Sequence, residues 1–197
     1  MAADGSDPVH LAAGGKPAWS PDGSTIAFAS SDSVTVMNAD GTGLRVLTAG
    51  SEPAWSPDGR RIVFTRGHCL ADICGADLYL MAADGSGVQR LTNLSPFDGA
   101  SAPAWSPDGT RIAYARRCCF LVGEGSGLAT IALDGGLPHV LHVGAIVGRP
   151  VWAPDGSAIA FAENNGAGVD AMIMPAAGGA ADVLVGGPSS DTPTSWK

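Results

Sequence analysis

Four cysteines and a small set of basic side chains are the residues of this sequence best equipped for chemistry, and both fall in the same two stretches. Cys69 and Cys74 lie in RGHCLADICGAD, from Arg66, and Cys118 and Cys119 in RRCCFLVGEGSG, from Arg116. Four cysteines allow three pairings. A bond between the adjacent Cys118 and Cys119 would strain the peptide joining them, which leaves pairing across the two stretches or a single Cys69–Cys74 bridge. Disulfides of either kind imply an oxidising compartment such as a periplasm. A zinc site drawing on His68 is disfavoured, because the spacing is not of the paired C-x-x-C type, and no metal is expected.

Arg66, His68, Arg116 and Arg117 form a candidate binding group. On a chain of formal charge −8 they make a local basic spot suited to a carboxylate or an acidic partner segment. The competing reading is that these side chains are solvated or pair with nearby acids such as Asp72 and Glu124. Reactive constellations are missing elsewhere: there is no G-x-S-x-G elbow, no H-E-x-x-H and no phosphate-cradling G-x-x-x-x-G-K-[ST]. His10, His68, His139 and His142 are scattered. No catalytic residue and no cofactor is therefore expected, and the chain reads as a non-enzyme. Its acidic balance argues against nucleic acid, whose phosphates call for a concentrated basic surface. No run approaches the roughly 18 apolar residues of a spanning helix, and residues 1–16 lack the order of a secretory signal, so no membrane insertion is expected.

The elements that must position these residues come from a repeat. PAWSPDGSTIAFAS starts at Pro17, PAWSPDGRRIVFTR at Pro53, PAWSPDGTRIAYAR at Pro103, PVWAPDGSAIAFAE at Pro150 and a truncated PTSW at Pro193, with spacings of 36, 50, 47 and 43 residues. A period near 44 with strand-like content points to β-propeller blades rather than helical solenoids. A second motif follows in each unit: VTVMNADGTGLRVLT from Val34, LYLMAADGSGVQRLT from Leu78, LATIALDGGLPHVLH from Leu128 and AMIMPAAGGAADVLV from Ala171. Each unit thus holds two turned hairpins, that is, four strands A to D of one antiparallel blade.

Physical reasons attach to the recurring residues. Asp22-Gly23, Asp58-Gly59, Asp108-Gly109 and Asp155-Gly156 close the A–B turns, the Asp capping the turn and the Gly taking positive φ. Strand B is apolar at consecutive positions, as in Ile62-Val63-Phe64, so both of its faces must be covered. Stacked blades cover both. Trp19, Trp55, Trp105 and Trp152, two residues before each Pro-Asp-Gly turn, are expected to pack between blades.

At PAWSPDG, IAF and LYLMAADGSGVQRLT the sequence resembles the TolB-type, WD40-like propeller repeats of bacterial proteins. The resemblance implies a propeller of about six blades, used for protein or peptide binding in the cell envelope, hence a periplasmic or extracytoplasmic setting. Such blades also form gating domains of prolyl-oligopeptidase-type serine peptidases, so the alternative is the accessory propeller of an enzyme whose catalytic domain is elsewhere. The expected architecture is all-β: four complete blades at 17–52, 53–102, 103–149 and 150–192, with 1–16 the end of a preceding blade and 193–197 the start of the next. Incomplete blades would also leave edges open to self-association. The A–B and C–D turns are short and uniform, whereas the B–C and D–A connections vary: 67–76 and 117–127, then 93–102, 143–149 and 186–192. Specificity is expected on that second face.

Overall fold

The computed structural model describes residues 10–70, 73–95, 97–117 and 126–185. They form sixteen strands and no helix. The strands are β1 (Gly15–Trp19), β2 (Thr25–Ser30), β3 (Ser33–Asn38) and β4 (Arg45–Ala49); β5 (Ser51–Trp55), β6 (Arg61–Leu70), β7 (Ile73–Ala82) and β8 (Gln89–Arg90); β9 (Gly99–Trp105), β10 (Arg111–Arg117), β11 (Gly127–Ala132) and β12 (His139–Val143); and β13 (Ala145–Trp152), β14 (Ala158–Asn164), β15 (Val169–Pro175) and β16 (Asp182–Val185). Within each group of four, neighbours pair antiparallel in chain order, which is the meander of a propeller blade.

The A–B turns show why Ser-Pro-Asp-Gly recurs. In the first blade Asp22 Oδ1 accepts from Ser20 Oγ at 2.6 Å and from the Ser24 amide at 3.0 Å, while Ser20 Oγ accepts from the Thr25 amide at 2.9 Å. Gly23 supplies the positive φ, 70°, that the turn requires. Asp58 and Asp108 repeat this arrangement with Ser56 and Ser106. In the fourth blade Ala153 replaces the serine, and Asp155 keeps only its bonds to Ser157.

Strand B is buried on both sides by its neighbours. Ile62 and Phe64 pack toward the first blade against Ala27, Val34 and Val36, whereas Val63 packs toward the third against Ile112 and Tyr114. A third core of Ala113, Leu128, Ile159, Phe161 and Met174 joins the third and fourth blades. These three cores lie between blades, and a smaller cluster of Ile26, Phe28 and Met37 lies on the first blade alone.

The tryptophans divide. Trp105 and Trp152 are 8% and 9% exposed, and their indole N–H groups donate to the carbonyls of Ala54 and Ala104 on the preceding blade. Trp55 is partly buried in the core between the first two blades. Trp19, expected between blades, is instead 58% exposed, because its partner would be a first strand lying before β1, and none is among the described residues. Leu11 nonetheless stands toward Gly41 as Leu47 stands toward Gly85, at 3.0 and 3.2 Å from where a Cβ would be.

Two other expectations need correction. Residues 67–70 and 73–76 are not loop: β6 and β7, ten residues each, run on as a hairpin in which Cys69 faces Cys74. Opposed cysteines, Cα atoms 4.1 Å apart, are joined by a disulfide there. A parallel pairing of Ala76 with Gly99 then ties this hairpin to the third blade, so β5 to β12 form one sheet. Likewise β9 and β13 begin at Gly99 and Ala145, inside stretches read as D–A loops. Cys118, Cys119, Asp72, Glu124 and the 186–197 tail lie outside the described residues.

Candidate functional site

The first strands β1, β5, β9 and β13 lie side by side and line an axial groove. Each pairs irregularly with its neighbour just before the recurring proline, where the register shifts. Lys16, Glu52 and Ala102, the residues preceding three of these prolines, have φ of 54°, 52° and 53°. Proline pushes the residue before it toward extended backbone, and the left-handed region costs a non-glycine residue about 1–2 kcal/mol. Strain of this kind is tolerated where surrounding structure over-determines it, commonly at functional sites. In the fourth blade the bulge holds one residue more: Val147 and Val151 face Ala162 and Ala160, and Gly148 takes the positive φ. The extra residue is Arg149.

These bulges bring charged side chains together. Lys16 Nζ lies 3.3 Å from Glu52 Oε1, and Glu52 Oε2 accepts from the Ala102 amide at 2.6 Å, so one carboxylate links three blades. Arg149 Nη2 reaches past the third blade to donate to the Pro53 carbonyl on β5 at 3.1 Å. Burial holds the Arg149 guanidinium below its usual pKa, a shift that the charge of Glu52 opposes. On the side of the B–C and D–A connections the groove opens into a chamber of about 500 Å³ lined by Lys16, Glu52, Ser101, Arg117, Val147 and Arg149, among others. Three cations face a single carboxylate. On the A–B turn side, Trp19, Trp55, Trp105 and Trp152 line a second recess of about 410 Å³. Arg149 borders both.

The basic residues singled out by sequence do not form one patch. Arg66 turns toward the first blade, its Nε donating to the Ala49 carbonyl at 3.0 Å and its Nη2 to Thr48 Oγ1 at 2.6 Å, with the guanidinium 4.7 Å from the Tyr79 ring centroid. His68 Nδ1 lies 3.0 Å from Oδ2 of Asp77, a carboxylate only 1% exposed. Asp77 also takes Arg90, Thr92 Oγ1 and the Leu94 amide. Arg116 Nη2 lies 3.4 Å from Asp98 Oδ2. Arg66 is thus held by a carbonyl and a hydroxyl of the first blade, and His68 and Arg116 stand beside Asp77 and Asp98, acids other than the two the sequence suggested. Arg117 alone of the four is exposed and lines the axial chamber.

Lys16, Glu52 and Arg149 were missed. A signal was present: the slot before the recurring proline reads Lys, Glu, Ala and Arg, while that proline and the tryptophan two residues after it are constant in all four blades. Variation at one position of a fixed scaffold marks a place where the scaffold carries specificity. His142, one of the four scattered histidines, pairs with Glu163 at 2.9 Å and clasps the third blade to the fourth. Among the described residues no three of His, Cys, Asp and Glu gather as metal ligands would.

The profile of the TolB β-propeller domain matches residues 10–118, more than half of the chain. Among solved structures, TolB from Acinetobacter baumannii is similar at 24% identity and a TM-score of 0.68, over 83% of this chain and 41% of that one. A TolB-type protein of Agrobacterium tumefaciens is similar at 20% identity and a TM-score of 0.71, over 87% and 61%. Oligogalacturonate lyase in complex with manganese is similar at 13% identity and a TM-score of 0.63, over 85% and 52%. The chain thus spans between two fifths and two thirds of the length of these structures, and the shared fold includes an enzyme. A comparison with curated protein sequences finds no match.

Proposed function

This chain belongs to the TolB β-propeller family, and on that premise we propose that it is a non-catalytic scaffold holding a protein or peptide partner on the face of its B–C and D–A connections. One observation carries the reading: on that face, and on a chain of charge −8, Lys16, Arg117 and Arg149 converge on a chamber that holds one carboxylate. Complementary charge of this kind steers and orients an acidic partner. Bulges from four blades, three of them strained, build the chamber. An extracytoplasmic setting suits the Cys69–Cys74 bond, since such bonds persist where conditions are oxidising.

The test is capture of the partner from envelope extract by the intact chain and by two charge reversals. Arg117→Glu alters the chamber, whereas Arg60→Glu alters an exposed residue at the A–B turn. The reading expects the captured band to disappear with Arg117→Glu and to persist with Arg60→Glu. Capture unaffected by the first change, or abolished by the second alone, would place the partner elsewhere. Arg66 and Arg116 are unsuited to this test, because reversing either breaks contacts inside the blades.

A further inference from the structure

The chamber carries more positive charge than its own residues neutralise. Glu52 is committed on both oxygens, to Lys16 and to the Ala102 amide. Arg149 has one hydrogen-bonding partner, a neutral carbonyl, and neither Arg149 nor Arg117 has a carboxylate within 4.0 Å among the described residues. A guanidinium presents five donors in a planar fork that matches a carboxylate edge to edge. Two such forks therefore face one space with most of their donors uncommitted. Of the remaining walls, Pro17, Ala115, Ile146 and Val147 are apolar and suit a short stretch of chain. A volume of about 500 Å³ lies within the range of about 300–1,000 Å³ of small-ligand sites.

Arg149 also decides which part of a polypeptide fits. Its side chain crosses from β13 to the Pro53 carbonyl of β5 and stands between the chamber and the tryptophan-lined recess. A chain entering from the loop face meets this bar and ends there. We propose that the chamber is a receptor for the C-terminal carboxylate of the partner polypeptide, paired with Arg149 and Arg117, while the last side chains rest on Pro17, Ala115 and Val147. This rests on the reading that the partner docks on the loop face. Capture of a terminal carboxylate by convergent donors is an established mode of peptide recognition.

The experiment is calorimetric titration of the full chain, at low ionic strength, with three probes. They are N-acetyl-trialanine bearing a free C-terminal carboxylate, the same peptide as its C-terminal amide, and N-acetyl-aspartate N-methylamide, whose only carboxylate is on a side chain. The free acid is expected to bind at least about tenfold more tightly than either of the others. Arg149→Met, which keeps the aliphatic stem, is expected to weaken the free acid about tenfold. Glu52→Gln keeps an acceptor for the Ala102 amide while removing the competing charge, and is expected to tighten it about threefold or more. The opposite directions of the two variants keep the test decisive even if Arg149→Met folds poorly. Equal binding of acid and amide, tighter binding of the side-chain probe, no binding of the acid by about 10 mM, or weakening by Glu52→Gln would each overturn the proposal. Should the acid probe fail while Arg117→Glu still abolishes partner capture, the terminal-carboxylate assignment falls and the docking face stands.

Discussion

At the A–B turns a single carboxylate oxygen gathers the donors that reverse the chain. Asp22 Oδ1 takes the Ser20 hydroxyl, the Ser24 hydroxyl and the Ser24 amide, and these bonds to its charged form lower its pKa to about 2, the Ser20 hydroxyl contributing most. Its folded value is depressed, so its contribution to stability is complete above the unfolded value of 3.8 and is lost as pH falls toward 2. Carboxylate chemical shifts followed through an acid titration should place the Asp22 midpoint near 2; a midpoint near 4 would mean that the turn bonds do not persist in solution. The same turn supplies a stabilising substitution. Ala153 holds the place of Ser20, Ser56 and Ser106, is buried like them, and leaves Asp155 without the hydroxyl donor that the other turn aspartates receive. Ala153→Ser should raise stability by about 0.5–1 kcal/mol, and Ser56→Ala should lower it by about 1 kcal/mol, in denaturant unfolding. Destabilisation by Ala153→Ser would show that the fourth turn is shaped differently from the others.

Among the elements, the β6–β7 hairpin is longer than its counterpart in the first blade. Its counterpart in the first blade turns at Ser31–Asp32, whereas β6 and β7 continue through Arg66–Leu70 and Ile73–Asp77. Three features hold the extension: the Cys69–Cys74 bond, the Ala76–Gly99 pairing, and the buried Asp77, which accepts from Arg90, Thr92 and the Leu94 amide and lies 3.0 Å from His68 Nδ1. Closing so short a loop constrains the unfolded chain modestly, by about 2 kcal/mol. Reduction of the bond should therefore speed amide exchange in residues 67–70 and 73–75 while leaving residues 78–82 protected, because Leu78, Leu80 and Met81 are buried in inter-blade cores. Exchange that rises equally across both segments would mean that the bond supports the whole blade. This hairpin also marks where the sequence is legible. Strand B announces itself through Ile62-Val63-Phe64, whose consecutive apolar residues require two covered faces. Gly67, Gly75 and Ala76 are poor strand formers, and the opposed cysteines and the neighbouring blade hold them in strand. The candidate site was hidden for a similar reason. Arg66 and Arg116 stand at equivalent repeat positions, but their acceptors are set by the local chain, at Thr48 and Asp98. Arg149 reaches the axis through one extra residue in a bulge, which spacing alone does not reveal.

The whole molecule is a row of blades whose stability resides in the contacts between neighbours, as in other repeat arrays. Its tryptophans report on each contact separately. Trp105 lies in the core between the second and third blades, bonds to the Ala54 carbonyl and carries the Arg61 guanidinium 5.3 Å from its ring centroid. Trp105→Ala should therefore cost about 3–5 kcal/mol in denaturant unfolding. Trp19 occupies the same repeat position, yet more than half of it is open to solvent, at the rim of a recess of about 390 Å³ formed by Leu11, Ala12, Ile26, Phe28 and Met37. Removing an exposed side chain leaves little cavity behind, so Trp19→Ala should cost less than about 1 kcal/mol. Acrylamide should quench the Trp19 fluorescence, isolated in a variant with the other tryptophans changed to Phe, more strongly than that of Trp105 isolated in the same way. The contrast separates two states of the first blade. If both substitutions cost several kcal/mol, or if Trp19 becomes shielded as protein concentration rises, the leading face of the first blade is covered in solution by another blade or a second copy. Equal and low cost at both positions would instead contradict the inter-blade core from which the fold draws its stability.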